Sequence, residues 1–230
     1  MNVYEETFKK FGFSLTQQEI LRLVGEGKAV LEIGASAGYM SRAFLKAGCI
    51  LDVVERDQKA SEKLPKGIRK IFNESIENKT VFTKLGKYDF IIMADVLEHL
   101  VNPCEVLQKL LKTASANTVL LISLPNVACW AMRKQLFFNG DFTYQDSGLL
   151  DKTHLHFYTV NSLPEILTKN GWKAQEIKGT ITRLPFEGLI SKIPVFGFIF
   201  KKVFYQRLVN AFKNLSYYHF LVAAIPNEKN

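Results

Sequence analysis

Short apolar runs along this chain alternate with stretches in which apolar side chains recur every three or four positions, the pattern of strands separated by helices. Ala29 to Ile33 and Ile50 to Glu55 read as buried strands flanking a helix from about Tyr39 to Ala47. Gln58 to Leu64 reads as a short helix stopped by Pro65, and Ile68 to Phe72 as a third strand. Tyr88 to Asp95 is the clearest buried strand, an unbroken apolar run ending in an acid. The helix after it runs to about Lys112, with Asn102 as its cap, Pro103 in its first turn and Glu105 three residues beyond the cap. Thr118 to Leu124 is a fifth strand and Val127 to Phe138 a helix. Ser162-Leu163-Pro164-Glu165 reads as a capping box for a helix ending near Asn170-Gly171. Trp172 to about Ile181 and Tyr218 to Ile225 are the last strands. Ahead of all these, residues 1–27 hold one or two amphipathic helices with Ile20, Leu21, Leu23 and Val24 on the apolar face.

The turn after the first strand is Gly34-Ala35-Ser36-Ala37-Gly38, where only small side chains stand between strand and helix. A ligand can approach such a backbone closely. Glu55, twenty-one residues beyond Gly34, ends the second strand, where a carboxylate accepts hydrogen bonds from the two hydroxyls of a ribose. Together they point to a nucleoside-containing cofactor. The turn departs from the dinucleotide pattern, with Ser36 at the middle glycine's place and Tyr39 at the third. Glu32, just before the first glycine, would repel phosphates but accept a hydrogen bond from an ammonium group, which favours a cationic amino-acid nucleoside.

Composition narrows the setting. At 230 residues and 47% apolar, the chain suits one well-buried domain with an elaboration. Cys49, Cys104 and Cys129 lie far apart without metal or disulfide spacing and read as buried packing residues of a reducing compartment. The first residues carry acids and no continuous apolar core, and no run is long enough to span a bilayer, so a cytoplasmic location is expected. The formal charge of +8 is compatible with anionic partners. Its lysines are scattered, however, and without an RNA-binding signature they read as a solvated surface rather than a nucleic-acid footprint. One stretch stands apart: residues 184–216 are rich in phenylalanine and isoleucine, with Lys192, Lys201, Lys202, Arg207 and Lys213 interspersed. Such a segment can lie on an anionic membrane surface, cover the sheet or form a dimer face.

The run Glu32-x-Gly34-x-x-x-Gly38 resembles the first motif of the class I S-adenosylmethionine-dependent methyltransferases. YDFIIMADVLEHLVNP, from Tyr88 to Pro103, is similar to the type 11 and type 23 group, which includes ubiquinone-biosynthesis-like O-methyltransferases. The stretch from Ser123 to Thr159 resembles a bacterial subgroup associated with glycan and cell-envelope biosynthesis, which commonly has arginine where this chain has His156. The resemblance implies an α/β fold over residues 28–230. Its seven-stranded Rossmann-like sheet would be mostly parallel with an antiparallel last strand and helices on both faces, and the N-terminal segment 1–27 would cover the cofactor mouth. S-adenosylmethionine is the implied cofactor. Glu32, Gly34, Ala35, Ser36, Gly38 and Tyr39 would hold its amino-acid end, Glu55 its ribose and Asp95 the methionine side of the cleft. Arg56 and one of Asn73, Glu74 or Ser75 would meet the adenine, with Ser75 at the aligned position.

Methyl transfer from a sulfonium needs chiefly an in-line arrangement, and a hydroxyl acceptor needs a proton acceptor as well. His154 is the preferred base, with Asp151 orienting its imidazole; His99, just past the fourth strand, is the second candidate, and His219 reads as structural. His154, His156 and Asp151 also permit a metal reading, since alternate residues of an extended segment share a face, but three ligands in one short stretch do not make a metal assignment. The leading expectation is O-methylation of a saccharide or glycolipid intermediate. The rival readings are a non-catalytic cofactor-binding partner of a membrane enzyme, and a nicotinamide-dependent sugar-modifying enzyme. The loop, and the lack of a Tyr-x-x-x-Lys pair, speak against the second.

Overall fold

The computed structural model describes residues 12–181 and 205–227. The elements are α1 (Leu15–Val24), β1 (Ala29–Ile33), α2 (Tyr39–Lys46), β2 (Ile50–Val54), α3 (Gln58–Ser61), β3 (Lys70–Phe72), α4 (Lys79–Phe82), β4 (Phe90–Ala94), α5 (Pro103–Thr113), β5 (Val119–Pro125), α6 (Trp130–Asn139), α7 (Ser162–Lys169), β6 (Trp172–Ile181), α8 (Tyr205–Ala211), α9 (Lys213–Ser216) and β7 (Tyr217–Pro226). They build one seven-stranded sheet in the order β3-β2-β1-β4-β5-β7-β6. The first five strands pair in parallel, and β7 enters antiparallel between β5 and β6.

Both faces of the sheet are covered, which explains why its central strands are apolar throughout. Along β1 and β4, Leu31, Ile33, Ile91 and Met93 face Val106, Leu107 and Leu110 of α5 and Leu163 and Leu167 of α7. Val30, Ile92 and Leu121 face the other way, toward Ile20 and Val24 of α1 and Met40 and Phe44 of α2. The alternation is the two-residue period of a strand read on two sides. The described part of the N-terminal segment is therefore packed on a sheet face, and Lys178 of β6 holds Glu19 of α1 at 2.7 Å. Residues 1–11 of that segment, and 184–204 of the aromatic and basic stretch with Lys192, Lys201 and Lys202, lie outside the described residues. The remainder of that stretch forms α8 and α9, with Arg207 exposed.

Local expectations fail in instructive places. Asn102 precedes α5 but makes no capping hydrogen bond; its backbone N–H donates to Glu77 at 2.8 Å instead. Ser162 is the first residue of α7 rather than its cap, and its hydroxyl accepts from the N–H of Thr159 at 2.9 Å. α3 stops at Ser61, short of Pro65, and the four-residue α4 has too few residues to leave a period in the sequence. Cys49 and Cys129 are buried, whereas Cys104 is exposed. Among the described residues no helix is long and apolar enough to cross a membrane.

Candidate active site

Between β1 and α2 the chain must reverse over the sheet edge within five residues. Gly34 and Gly38 do so with left-handed φ of 75° and 74°, and Ser36, at 50°, takes the same region against the preference of a residue with a Cβ. A Cβ at Gly34 would stand 2.5 Å from Val96 Cγ2, so the loop lies against the segment leaving β4. Arg42 of α2 clamps the far side. Its guanidinium donates to the carbonyls of Ala37 at 2.7 Å, Gly38 at 2.9 Å and Lys63 at 2.9 Å. It also sits 5.9 Å over the Tyr39 ring, and Ala35, within the loop, is buried.

Glu55, one residue past β2, is buried, and one of its oxygens meets this loop. One accepts from the N–H of Ser36 at 2.7 Å and the other from the N–H of Asp57 at 2.8 Å. Asn73, after β3, donates to the backbone carbonyl of Glu55 at 2.8 Å. Its neighbours are engaged elsewhere: Glu74 pairs with Lys84 at 2.8 Å, and Ser75 Oγ accepts from the N–H of Glu77 at 3.2 Å. Arg56 is exposed. Glu32 lies under the loop, 4% exposed, accepting from Ser41 Oγ at 2.5 Å. Desolvation, opposed by the Ser41 hydrogen bond and reinforced by Glu55, pushes its carboxyl up to about 8.

At the end of β4, Asp95 takes a positive φ of 56°. Its Oδ1 accepts from His219 Nε2 at 2.6 Å and from Ser123 Oγ at 3.3 Å. His219 reaches this edge because β7 is antiparallel, which sets its first residues beside the last residues of β5. The sequence reads His219 as structural, and its periodicity carries no sign of this pairing with Asp95.

The 3₁₀ turn Leu97–His99 follows. The carbonyl of Glu98 accepts from the N–H groups of Leu155 at 2.8 Å and His156 at 3.1 Å, which brings the 151–158 segment over the turn. As a result His99 and His154 stand edge to face with ring centroids 4.8 Å apart. Each Nδ1 faces a backbone carbonyl, that of Thr153 for His99 at 3.1 Å and that of Leu149 for His154 at 3.2 Å. A carbonyl only accepts, so both rings carry hydrogen on Nδ1 and a lone pair on Nε2. Glu98 is 1% exposed and neither carboxylate oxygen has a hydrogen-bond partner among the described residues. Its Oε1 lies 3.9 Å from His154 Nε2, beyond hydrogen-bond distance. Desolvation, with the charges of Asp95 and Asp151, raises the Glu98 carboxyl well above the usual range, and desolvation and His99 depress His154.

Asp151 does not hold the His154 ring. Its carboxylate is taken up by the N–H and hydroxyl of Thr153 at 2.8 and 2.7 Å. Burial alone would raise its pKa; those bonds outweigh burial and lower it. Nor does His156 join His154: residues 154–157 form no strand, and His156 is not among the residues gathered with Glu98, His99 and His154. His156 lines a shallow groove with Pro103, Gln108, Tyr158 and Ile166. Beside His154, Phe157 stands at 6.3 Å, and Phe142 and Tyr144 stand 5.5 and 6.3 Å beyond Phe157, making an aromatic wall.

Residues 8–177 match the model of a methyltransferase domain family, type 23. No curated protein sequence matches significantly. A SAM-dependent methyltransferase from Archaeoglobus fulgidus superposes with a TM-score of 0.66 at 16% identity, over 97% of this chain and 100% of that one. A possible histamine N-methyltransferase from Thermotoga maritima gives 0.61 at 14%, over 96% and 93%. Magnesium protoporphyrin IX methyltransferase from Synechocystis, with bound SAM, gives 0.55 at 15%, over 92% and 78%. At these identities the likeness is one of fold.

Proposed function

Because the chain belongs to the type 23 methyltransferase domain family, we propose that the carboxyl edge of its sheet O-methylates a small molecule, a saccharide or lipid-linked saccharide being the leading acceptor. The chain is a methyltransferase and its methyl donor is S-adenosylmethionine. The donor set fits that molecule. A carboxylate accepts about four hydrogen bonds, and Glu55 uses two on Ser36 and Asp57, leaving capacity for two ribose hydroxyls. The loop from Gly34 to Gly38, with Ala35 and Ser36, offers backbone rather than bulk to the amino-acid end; Tyr39 and Arg42 brace it, Glu32 supports it from below, and Asp95 borders it. Arg56 and Ser75 flank the adenine side.

When bound, the cofactor supplies a methyl already activated by its sulfonium. This chain's residues have to position the acceptor oxygen and take its proton. The observation that carries the reading is the pair of Nε2 lone pairs on His99 and His154 at the same sheet edge as Glu55 and the glycine loop. His154, the more buried, is the proton acceptor, with Leu149 holding its tautomer where Asp151 had been expected to; His99 stands beside it. The aromatic wall of Phe157, Phe142 and Tyr144 suits the apolar face of a sugar ring or of a lipid-linked glycan.

Calorimetric titration with S-adenosylmethionine, S-adenosylhomocysteine and NAD tests the first half; the first two should bind and NAD should not. A panel of nucleotide sugars and lipid-linked saccharides tests the second. Cofactor binding without turnover on any hydroxyl acceptor would favour a non-catalytic partner protein and remove the O-methylation reading.

A further inference from the structure

Glu98 is an anomaly that methyl transfer by base catalysis does not use. A buried carboxylate with both oxygens unpartnered is costly unless it is neutralised or binds a cation. Two imidazoles stand near it, with His154 Nε2 3.9 Å from its Oε1. Among the described residues, one Glu98 oxygen and one nitrogen each of His99 and His154 lie within 4.8 Å of one another. Ligand bonds of about 2.1 Å at tetrahedral angles call for separations of about 3.4 Å, which small rotations of the side chains supply.

The geometry points to a divalent-cation site built from Glu98, His99 and His154, taking a first-row transition ion such as Mn²⁺, Co²⁺ or Zn²⁺. Three features carry this. The ligand set is two imidazoles and one carboxylate from three residues, which leaves coordination positions open for an outside oxygen. Both histidines donate Nδ1–H to backbone carbonyls, at 3.1 and 3.2 Å, the outer hydrogen bond that fixes a metal-binding tautomer with Nε2 free. Glu98 is 1% exposed and neither of its oxygens has a hydrogen-bond partner among the described residues. This set differs from the sequence-level one of His154, His156 and Asp151: His156 faces another groove and Asp151 serves Thr153.

The inference rests on the proposed O-methylation and changes the part His154 plays in it. With the cation bound, His154 Nε2 is a ligand, and the acceptor hydroxyl takes an open position. Coordination acidifies that hydroxyl, whose proton passes to solvent; the oxygen then forms its bond to the methyl carbon as the carbon–sulfur bond breaks, leaving the neutral thioether.

The test uses the full chain freed of metal by chelator dialysis and titrated with Mn²⁺, Co²⁺, Zn²⁺ and Mg²⁺ by calorimetry, with the visible spectrum of the Co²⁺ form recorded. One equivalent of a transition ion should bind, and the Co²⁺ bands should be those of nitrogen and oxygen ligation. Glu98→Gln and His154→Ala should each lower affinity at least 100-fold. His99→Ala, at the half-buried position, should do the same and serves if the more buried variants fail to fold. S-adenosylhomocysteine affinity, measured in parallel, separates the two readings. Intact binding of that ligand with no saturable cation uptake, or uptake unchanged in the variants, overturns the metal site alone. Loss of nucleoside binding in the wild-type protein counts against the methyltransferase reading itself.

Discussion

Two buried glutamates at the same sheet edge are treated in opposite ways. Each oxygen of Glu55 accepts from a backbone N–H group, while the carboxyl oxygens of Glu98, also buried, have no hydrogen-bond partner among the described residues. The first organises a loop from within; the second waits for a ligand from without. The contrast teaches where function resides in this fold, since a satisfied buried acid stabilises and an unsatisfied one is kept at a cost. The largest expected effect falls on the satisfied side. Glu55→Ala removes the proposed ribose acceptor and frees Ser36 and Asp57 together, and should weaken S-adenosylhomocysteine binding at least 100-fold, about 3 kcal/mol, by calorimetry. Unchanged affinity would remove the ribose assignment.

Gly34→Ala comes next, acting on the same loop by sterics. The new Cβ would meet Val96 Cγ2 at 2.5 Å and sit at a φ of 75°, costing about 2–3 kcal/mol of stability in chemical denaturation. The sharpest form of the comparison is a matched pair of isosteres. Glu55→Gln sets an amide NH₂ against a backbone N–H and should cost about 2 kcal/mol. Glu98→Gln, in metal-free protein, replaces a carboxyl that has no hydrogen-bond partner among the described residues and that burial already drives toward its neutral form, so it should leave stability within about 1 kcal/mol of wild type, or above it. Equal losses in the two variants would mean that Glu98 has a partner after all.

Glu32 supplies the pH dependence. Its folded pKa of about 8 lies above the free value of 4.5, so its contribution to stability is fully present below pH 4.5 and is lost as pH rises toward 8. Glu32→Gln keeps an acceptor for Ser41 and cannot ionise. The variant should therefore gain on wild type by about 2 kcal/mol between pH 6 and pH 8, read as a relative Tm shift of about 5 °C. A difference that stays constant with pH would show that Glu32 is ionised throughout.

The frame was legible because it is written in local pattern. β1, β2, β5 and β6 fall within a residue or so of their apolar runs, and the glycine turn with Glu55 was found from spacing alone. What escaped notice depends on pairings remote in sequence. Arg42 reads as an ordinary helix residue until its reach to Ala37 and Lys63 is seen. His219 meets Asp95 only because β7 inserts between β5 and β6. Glu98 sits in the run from Tyr88 to Pro103 that resembles the methyltransferases, yet a side chain's lack of partners leaves no trace in a sequence. The expected hold of Asp151 on the His154 ring is absent for a related reason: residues three apart in a turn, joined through the backbone, need not join side chains, and the carbonyl of Leu149 accepts the imidazole hydrogen instead.

The smallest effect probes how the satisfied glutamate shapes its loop. Ser36 holds a φ of 50° while its N–H donates to Glu55 at 2.7 Å. If that bond imposes the conformation, Ser36→Gly relieves strain of about 1 kcal/mol and loses part of it to the greater freedom of the unfolded chain, for a net gain of about 0.5 kcal/mol. In a Glu55→Gln background the loop is free to relax, so the same substitution should bring no gain and leave only the entropic loss. A double-mutant cycle in denaturant would then give a coupling of about 0.5–1 kcal/mol between two residues nineteen apart in sequence. Additive effects would place the cause of the left-handed turn in the packing of Gly34 against Val96, and leave Glu55 as a consequence of the loop rather than its organiser.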